Sequence, residues 1–373
     1  MKIGIDGRAA TWYQGTGIGT YTNQLIQSLN NVDSHNNYLI FMPQCDSTKN
    51  LKTNFKTELT DAVASNSFWD DVNVPNILSN ADIELYHVPQ NGVGLSENIK
   101  CKKVITLHDI IPLKMPETVS DRYLRIFNNE LPKILKTCDG IITVSNFSKN
   151  DIAKEFNFPV ENIHVTPLAA EGIYRPMSKC RSKDFITKKY GIQEDFILYV
   201  GGFSPRKNIL GLIEAYSNLP AKLRETFKLV ITGRKGPSYD KYKNRAEELH
   251  VLNNVVFTDF IPAEDMPLFY NATEVLVYPS FYEGFGLPPI EAMACGTPVI
   301  ASNVTSLPEV CYESALFIDP NDIDSLSYDI ERVLSNSLLR LTMVKKSLTR
   351  NKAFSWNKTA LDTISAYKSI LNS

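Results

Sequence analysis

Apolar residues fall into two patterns that alternate from one end of the chain to the other. Short β-branched runs, apolar at successive positions, predict strands buried on both faces. The first series is KIGID (2–6), NYLIFM (37–42), ELYHV (84–88), KVITLHD (103–109), GIITVS (140–145) and IHVTP (163–167). Between these runs lie amphipathic stretches that predict helices, among them 20–30 and 120–136, the second bent at Pro132. The rhythm then restarts with FILYVGG (196–202), KLVITG (228–233), NVVFTDF (254–260), EVLVYPS (274–280), PVIAS (298–302) and ALFID (315–319). Strands apolar on both faces and separated by helices imply parallel sheets covered on both sides. Two such series predict an α/β chain of two doubly wound domains.

The join falls in AAEGIYRPMSKCRSKDF (169–185), a polar stretch with Gly172 and Pro176 and no clean periodicity. It predicts a first domain over 1–170, a linker over 171–185 and a second domain over 186–356. Ligands of open α/β sheets bind beyond the carboxyl ends of the strands. Two domains of this kind are expected to enclose a cleft, and the chemistry is expected there.

Composition narrows the class. The 373 residues are 43% hydrophobic and 21% charged, which is the make-up of a well-buried globular protein. Thirty-nine Lys and Arg against 41 Asp and Glu give a net charge of -2, which argues against a bulk electrostatic nucleic-acid binder. No apolar run approaches the roughly 18 residues of a membrane span. The stub of apolar sequence in MKIGIDGRAA reads as a first strand, not a signal peptide. A soluble cytoplasmic protein is the expectation. Cysteines 45, 101, 138, 180, 295 and 311 contain no CxxC pair, and the five histidines contain no HExxH. Neither a zinc cluster nor a disulfide framework fits that spacing.

The densest chemical signal is FYEGFGLPPIEAMACGTPVIAS (281–302). A strand ends at Ser280, the loop Glu283-Gly284-Phe285-Gly286 follows, and a short helix opens at Pro288 and Pro289, which suit a first helical turn. Such a terminus receives an anionic or hydroxyl-rich ligand. Glu283 on the loop and Glu291, expected in the first helical turn, suit sugar hydroxyls; the structural alternative is that Glu291 only complements the helix dipole. GGFSPRKN (201–208) again joins a strand to a helix, with Gly202 allowing close approach and Arg206 and Lys207 offering charge to a diphosphate. The alternative there is a polar turn with two solvated cations. In GTGIGTYT (15–22), Gly17 and Gly19 either face a phosphate or sugar, or serve close helix packing. In TLHDIIPL (106–113), His108 sits where a strand runs out, a place for chemistry or for a satisfied structural histidine. Asp322-Ile323-Asp324 has the spacing of some metal-binding transferases but opens a helix, so capping is the expected role.

Together these residues resemble the retaining glycosyltransferases of family 4, which have the GT-B architecture. EGFGLPPIEAMACGTPVIAS carries that family's E-x7-E signature, and HDIIPLKMPE, GIITVSNFSKNDI, YVGGFSPRKN, SLPEV and FSWNKTA extend the likeness over nearly the whole chain. It is nearest to a subgroup of bacterial mannosyltransferases that build cell-surface polysaccharides. The resemblance implies two Rossmann-like domains facing across a cleft, with a last helix (357–373) crossing back onto the first. It implies that Glu291 holds the ribose of a nucleotide sugar and that Glu283 contacts the transferred sugar, aided by amides around Gly284, Phe285, Gly286 and Leu287. Arg206 and Lys207 would neutralise the diphosphate, with Gly202 beside them. His108 would lie near the anomeric carbon, with Gly17 and Gly19 on the phosphate side. Many relatives carry an arginine just after the first glycine of the pair; here Gly202 or Phe203 stands there, leaving Arg206 as the candidate arginine.

The implied activity is transfer of a hexose, in first place mannose from GDP-mannose, onto a glycan or lipid-linked acceptor; a UDP-hexose is the rival donor. No cofactor and no metal are implied, since fixed cations and helix amides take up the charge of the departing diphosphate. Retention runs either through a covalent intermediate on Glu283 or by same-face attack, which the family favours. A basic cluster of Lys100, Lys102, Lys103, Arg122, Arg125, Lys133 and Lys136 suggests weak peripheral contact with anionic lipid, or a solvated surface balanced by Asp121 and Glu130. A nicotinamide oxidoreductase shares the doubly wound folds but needs GxGxxG, where this chain has GxGxG. A catalytically silent nucleotide-sugar binder would lack His108 or Glu283, and both are present.

Overall fold

The computed structural model describes residues 1–13, 15–43, 50–59, 82–95, 99–236 and 238–373; Cys45 lies outside them. The chain forms two compact units, Met1–Leu168 with Ser355–Ser373, and Ala169–Phe354.

Among the described residues the first unit is built on seven strands: β1 (Lys2–Asp6), β2 (Asn37–Met42), β3 (Phe55–Leu59), β4 (Leu85–Val88), β5 (Lys102–Thr106), β6 (Gly140–Thr143) and β7 (Ile163–Val165). They pair in parallel in the order β3-β2-β1-β4-β5-β6-β7. The central strands are mainly apolar because helices cover both faces; Ile3, Ile5, Val104, Ile105, Ile141 and Ile142 are fully buried. The helix Trp356–Asn372 belongs to this unit. It approaches β6 closely because Gly140 has no side chain: a Cβ there would lie 2.4 Å from Ile370 Cδ1. Thr359 Oγ1 fastens the same helix by donating to the Pro167 carbonyl at 2.6 Å.

The second unit carries β8 (Asp195–Val200), β9 (Phe227–Thr232), β10 (Val255–Asp259), β11 (Val275–Tyr278), β12 (Val299–Ser302) and β13 (Ala315–Ile318). These too are parallel, in the order β10-β9-β8-β11-β12-β13. Ile197, Tyr199, Leu229, Ile231, Val275 and Val277 form one core with the apolar face of the helix Ile209–Ser217. Each such side chain contributes about 1.5–3 kcal/mol by leaving water.

Both sheets thus have the doubly wound topology expected from the apolar runs. The order reverses between β1 and β4 in the first and between β8 and β11 in the second. Ligands of such sheets bind outside the carboxyl ends of the strands at this switch point.

Two features differ from the sequence reading. Strand β3 is absent from it, because FKTEL is an edge strand with only Phe55 buried, stacked on Tyr38 at 4.3 Å. Its polar alternation carries none of the two-sided apolar signal. The second is a correction. Residues 179–185 of the expected linker lie in a regular helix, Lys179–Tyr190, capped by Ser178 and closed by Gly191 in the left-handed conformation. Its polar surface hid the pattern, since only Ser182 and Ile186 are buried.

Candidate active site

At the switch point of the second unit, two non-local segments meet. After β8 the chain turns through Gly201-Gly202 into a short 3-10 turn, Pro205–Lys207. After β11 it enters the loop that holds Glu283. The Phe281 amide donates to the Arg206 carbonyl at 2.9 Å, and Arg206 Nη1 donates to the Tyr282 carbonyl at 2.5 Å. Arg206 Nη1 then reaches Glu283 Oε2 at 2.9 Å, and Lys207 Nζ reaches Glu283 Oε1 at 2.6 Å. Lys207 is held from behind by Tyr278, donating to its hydroxyl at 2.6 Å and lying 4.8 Å from its ring centre.

Glu283 is buried, which by itself raises a carboxyl's pKa. The adjacent Lys207 and Arg206 outweigh that and hold it down at about 2. This carboxylate is therefore ionised at any physiological pH. The sequence reading gave the two cations to a diphosphate; the structure gives both a carboxylate partner as well. One negative charge against two positive ones leaves this triad with a single positive charge in excess.

The loop ends at Gly286, whose φ of 107° lies in the region that favours glycine. A side chain at that position would also meet Leu307 at 2.7 Å. The helix Leu287–Cys295 begins there, with Pro288 and Pro289 in a turn whose amides have no intrahelical acceptor. Glu291 is its fifth residue, so it stands one turn further in than the first-turn position expected from sequence. Dipole complementation is correspondingly weaker as an explanation, because that effect fades beyond the first turn. Tyr270 donates its hydroxyl to Glu291 Oε2 at 2.7 Å. Burial raises the Glu291 carboxyl to about 7, and the charge of Glu171 adds to this against the hydrogen bonds of Tyr270 and Tyr174.

The first unit holds the other sequence-predicted residues, His108, Gly17 and Gly19. Strand β5 ends at Thr106, so His108 is the second residue beyond it. Its backbone amide donates to Asn91 Oδ1 at 3.2 Å, and Nε2 lies 3.3 Å from the Pro89 carbonyl. Burial lowers its pKa to about 4, so the ring is neutral at pH 7. Gly17 opens the helix Gly17–Val32 behind its cap Thr16, and a side chain there would meet nothing within 4 Å. Gly19 has a packing role: a Cβ would lie 1.9 Å from the Tyr13 carbonyl oxygen, so only glycine lets this helix sit against the preceding one, Arg8–Trp12.

The family described as "Glycosyl transferases group 1" matches residues 182–350, and "Glycosyltransferase Family 4" matches residues 15–170. O-antigen chain mannosyltransferase B of Escherichia coli is 38% identical over 267 residues, covering 72% of this chain and 70% of that protein. The chain belongs to glycosyltransferase family 4. The serotype-specific mannosyltransferase WbdA of the same organism is 30% identical over 284 residues, covering 74% of this chain but only 35% of its own greater length. Sucrose-phosphate synthase from Thermosynechococcus elongatus shares the fold at a TM-score of 0.77 and 22% identity, covering 99% of this chain and 98% of that one. The fold is the two-domain GT-B architecture, and the protein is a hexosyltransferase.

Several residues of this glycosyltransferase's candidate site escape a reading by motif. Thr305 Oγ1 accepts the Glu283 amide at 3.2 Å, and Ser306 Oγ bridges the carbonyls of Glu283 and Phe285 at 2.8 and 3.0 Å. Thr305 makes this contact at a φ of 58°, a strained conformation for a β-branched residue. Tyr174, Tyr270 and Tyr278 supply hydroxyls from elsewhere in the sequence. Only the SLPEV segment of the resemblance pointed towards any of them. Asp322 caps the helix Ile323–Ser335 through the Ser325 amide at 2.9 Å, the role expected for it. Among the described residues no group of three or more His, Cys, Asp or Glu side chains is arranged to hold a metal ion. No helix among them is long and apolar enough to cross a membrane.

Proposed function

We propose that this glycosyltransferase moves mannose from GDP-mannose onto a glycan or lipid-linked acceptor of a cell-surface polysaccharide, with retention of anomeric configuration. The observation that carries the reading is the Glu283 carboxylate clasped by Arg206 and Lys207 at the switch point, with Glu291 on the helix that follows. The mannosyl donor is supported by the named activities of the relatives. In this reading Arg206 and Lys207 meet the diphosphate, with Gly202 and the 284–287 backbone beside it. Glu283 meets the hydroxyls of the transferred sugar, and Glu291 meets the ribose.

The chemistry follows from where charge develops. The bond from the anomeric carbon to the phosphate oxygen breaks, and its electron pair leaves with the diphosphate. Arg206 and Lys207 take up that charge from fixed positions, with little reorganisation. The acceptor oxygen then bonds to the anomeric carbon from the same face, and its proton passes to the departing phosphate oxygen. A carboxylate with both oxygens committed to cations and a pKa near 2 is a poor nucleophile, which favours this route over a covalent intermediate on Glu283.

The test is a thermal-shift panel of GDP- and UDP-sugars followed by transfer assays in excess EDTA. A donor at 100 times its dissociation constant stabilises by about 2.7 kcal/mol. GDP-mannose is expected to give the largest shift and to support turnover with the chelator present. A larger shift and turnover with a UDP-hexose would replace the donor, and activity restored only by added magnesium or manganese would overturn the metal-free mechanism.

One surface supports the lipid-linked acceptor. Arg122, Arg125, Lys133 and Lys136 lie on the exposed face of the helix Asp121–Thr137, and Lys100 is exposed as well. Lys133 pairs with Glu130 at 2.9 Å and Lys102 with Asp139 at 3.4 Å, so part of the charge is balanced internally. Weak binding to vesicles rich in anionic lipid is expected at low salt and lost at high salt. Sedimentation with vesicles checks this, and no binding at low salt would remove the membrane contact.

A further inference from the structure

We propose that Tyr21 is a positioning residue for His108, held in place by a buried relay that starts on the C-terminal helix. The inference rests on the reading of His108 as a group that touches the donor sugar. Its own polar contacts leave the imidazole incompletely fixed. The Pro89 carbonyl can only accept, so Nε2 carries the proton and Nδ1 the lone pair, but at 3.3 Å this bond is long. Among the described residues, a ring held only by that contact and by its backbone can rotate about its side-chain bonds. Tyr21 removes this freedom. Its ring stands edge-on to the imidazole, with centroids 4.7 Å apart and planes at 89°, the T-shaped arrangement aromatic pairs prefer.

Tyr21 is itself fully buried and tied at its far end. Its hydroxyl lies 2.9 Å from Thr106 Oγ1, two residues before His108 on the same run of chain. Thr106 Oγ1 is in turn 2.8 Å from His87 Nε2 on β4, and His87 Nδ1 is 2.7 Å from the Tyr367 hydroxyl. His87 is fully buried, and burial keeps its imidazole neutral. A neutral imidazole donates at one nitrogen and accepts at the other, so the relay holds only with a consistent direction of donation. It connects the helix Gly17–Val32, strands β4 and β5, and the helix Trp356–Asn372. Trp356 adds a second ring beside Tyr21, at 6.2 Å. The last helix therefore does more than cover a sheet: through Tyr367 it sets where the Tyr21 ring stands, and through that ring which way Nδ1 of His108 points.

Transfer kinetics and NMR titration of His108 in the full chain, labelled at histidine, provide the test. Tyr21→Leu is expected to lower kcat by about tenfold with the donor KM little changed. It should also raise the titration midpoint of His108 towards the ordinary histidine range as water reaches the ring. Tyr21→Phe keeps the ring and loses the tether to Thr106; a smaller fall in kcat and a shifted His108 resonance are expected. The second variant keeps the question open to an answer if the first does not fold. Wild-type kcat and an unmoved His108 signal in both folded variants would overturn the positioning role. His108→Ala separates the two levels of argument. If it is as active as wild type, the sugar-contact reading of His108 fails; if it is inactive while the Tyr21 variants match wild type, only the role of Tyr21 fails.

Discussion

Glu283→Gln is expected to lower sugar transfer by about a hundredfold to a thousandfold, the effect of losing one fixed electrostatic contact to a transition state. The substitution keeps the shape of the side chain and removes its charge. Arg206 and Lys207, both largely buried, are then left facing a neutral amide. Breaking one side of such a cluster costs up to about 3–5 kcal/mol, so the variant should also unfold at lower denaturant concentration. The pH dependence separates this from a general loss of packing. The folded-state pKa of Glu283 lies below its ordinary value, so its contribution is complete above about pH 4.5 and is lost as pH falls towards 2. Glu283→Gln should flatten that part of the acid limb. His108 has a depressed pKa too, so its contribution is complete above about pH 6.5 and lost as pH falls through 4; that part should remain in the variant. Transfer within tenfold of wild type in folded Glu283→Gln would remove Glu283 from the reaction.

What the sequence made legible divides along the line between local and non-local information. Runs such as KIGID and FILYV announce strands because both faces of each are covered, and nearly every position obeys the same demand. The edge strand FKTEL obeys it at one residue only, and the helix Lys179–Tyr190 at two. The available signal for that helix was its punctuation, Ser178 before it and Gly191 after it. The site divides in the same way. EGFGLPPIE is contiguous, and its glycines, prolines and spacing can be read in order. The partners that give its carboxylates their character come from far along the chain: Arg206 and Lys207 lie 77 and 76 positions before Glu283, and Tyr270 lies 21 before Glu291. No local pattern records that Thr305 would strain its backbone to hold the Glu283 amide. Nor does one record that Tyr367 would meet His87.

Glu291→Gln is expected to weaken nucleotide binding by about 1.5–3 kcal/mol, the loss of a charge-assisted hydrogen bond, with the fold intact. The structure adds a pH signature to this. The folded-state pKa of Glu291 is about 7 against an ordinary value of 4.5, so the folded protein holds this proton more tightly than the unfolded chain. Its contribution to stability is complete below about pH 4.5 and is lost as pH rises through 7, with a limiting slope of about 1.4 kcal/mol per pH unit. Glu291→Gln cannot ionise, so its stability relative to wild type should climb from pH 5 to 7 and then level off. Binding should move in the opposite sense in the wild-type protein. Two ribose hydroxyls are best met by an ionised carboxylate, so nucleotide affinity should rise with pH through about 7. The bound state should also hold Glu291 at a lower pKa than the free protein does. Binding near pH 6.5 then releases a proton, which calorimetry detects as a binding enthalpy that changes with the ionisation enthalpy of the buffer. Glu291→Gln should bind weakly, with no proton release from this group and no rise in affinity across that range. Nucleotide affinity that is flat from pH 5.5 to 8.5 in the wild type, and equal in the variant, would mean that Glu291 does not touch the ribose.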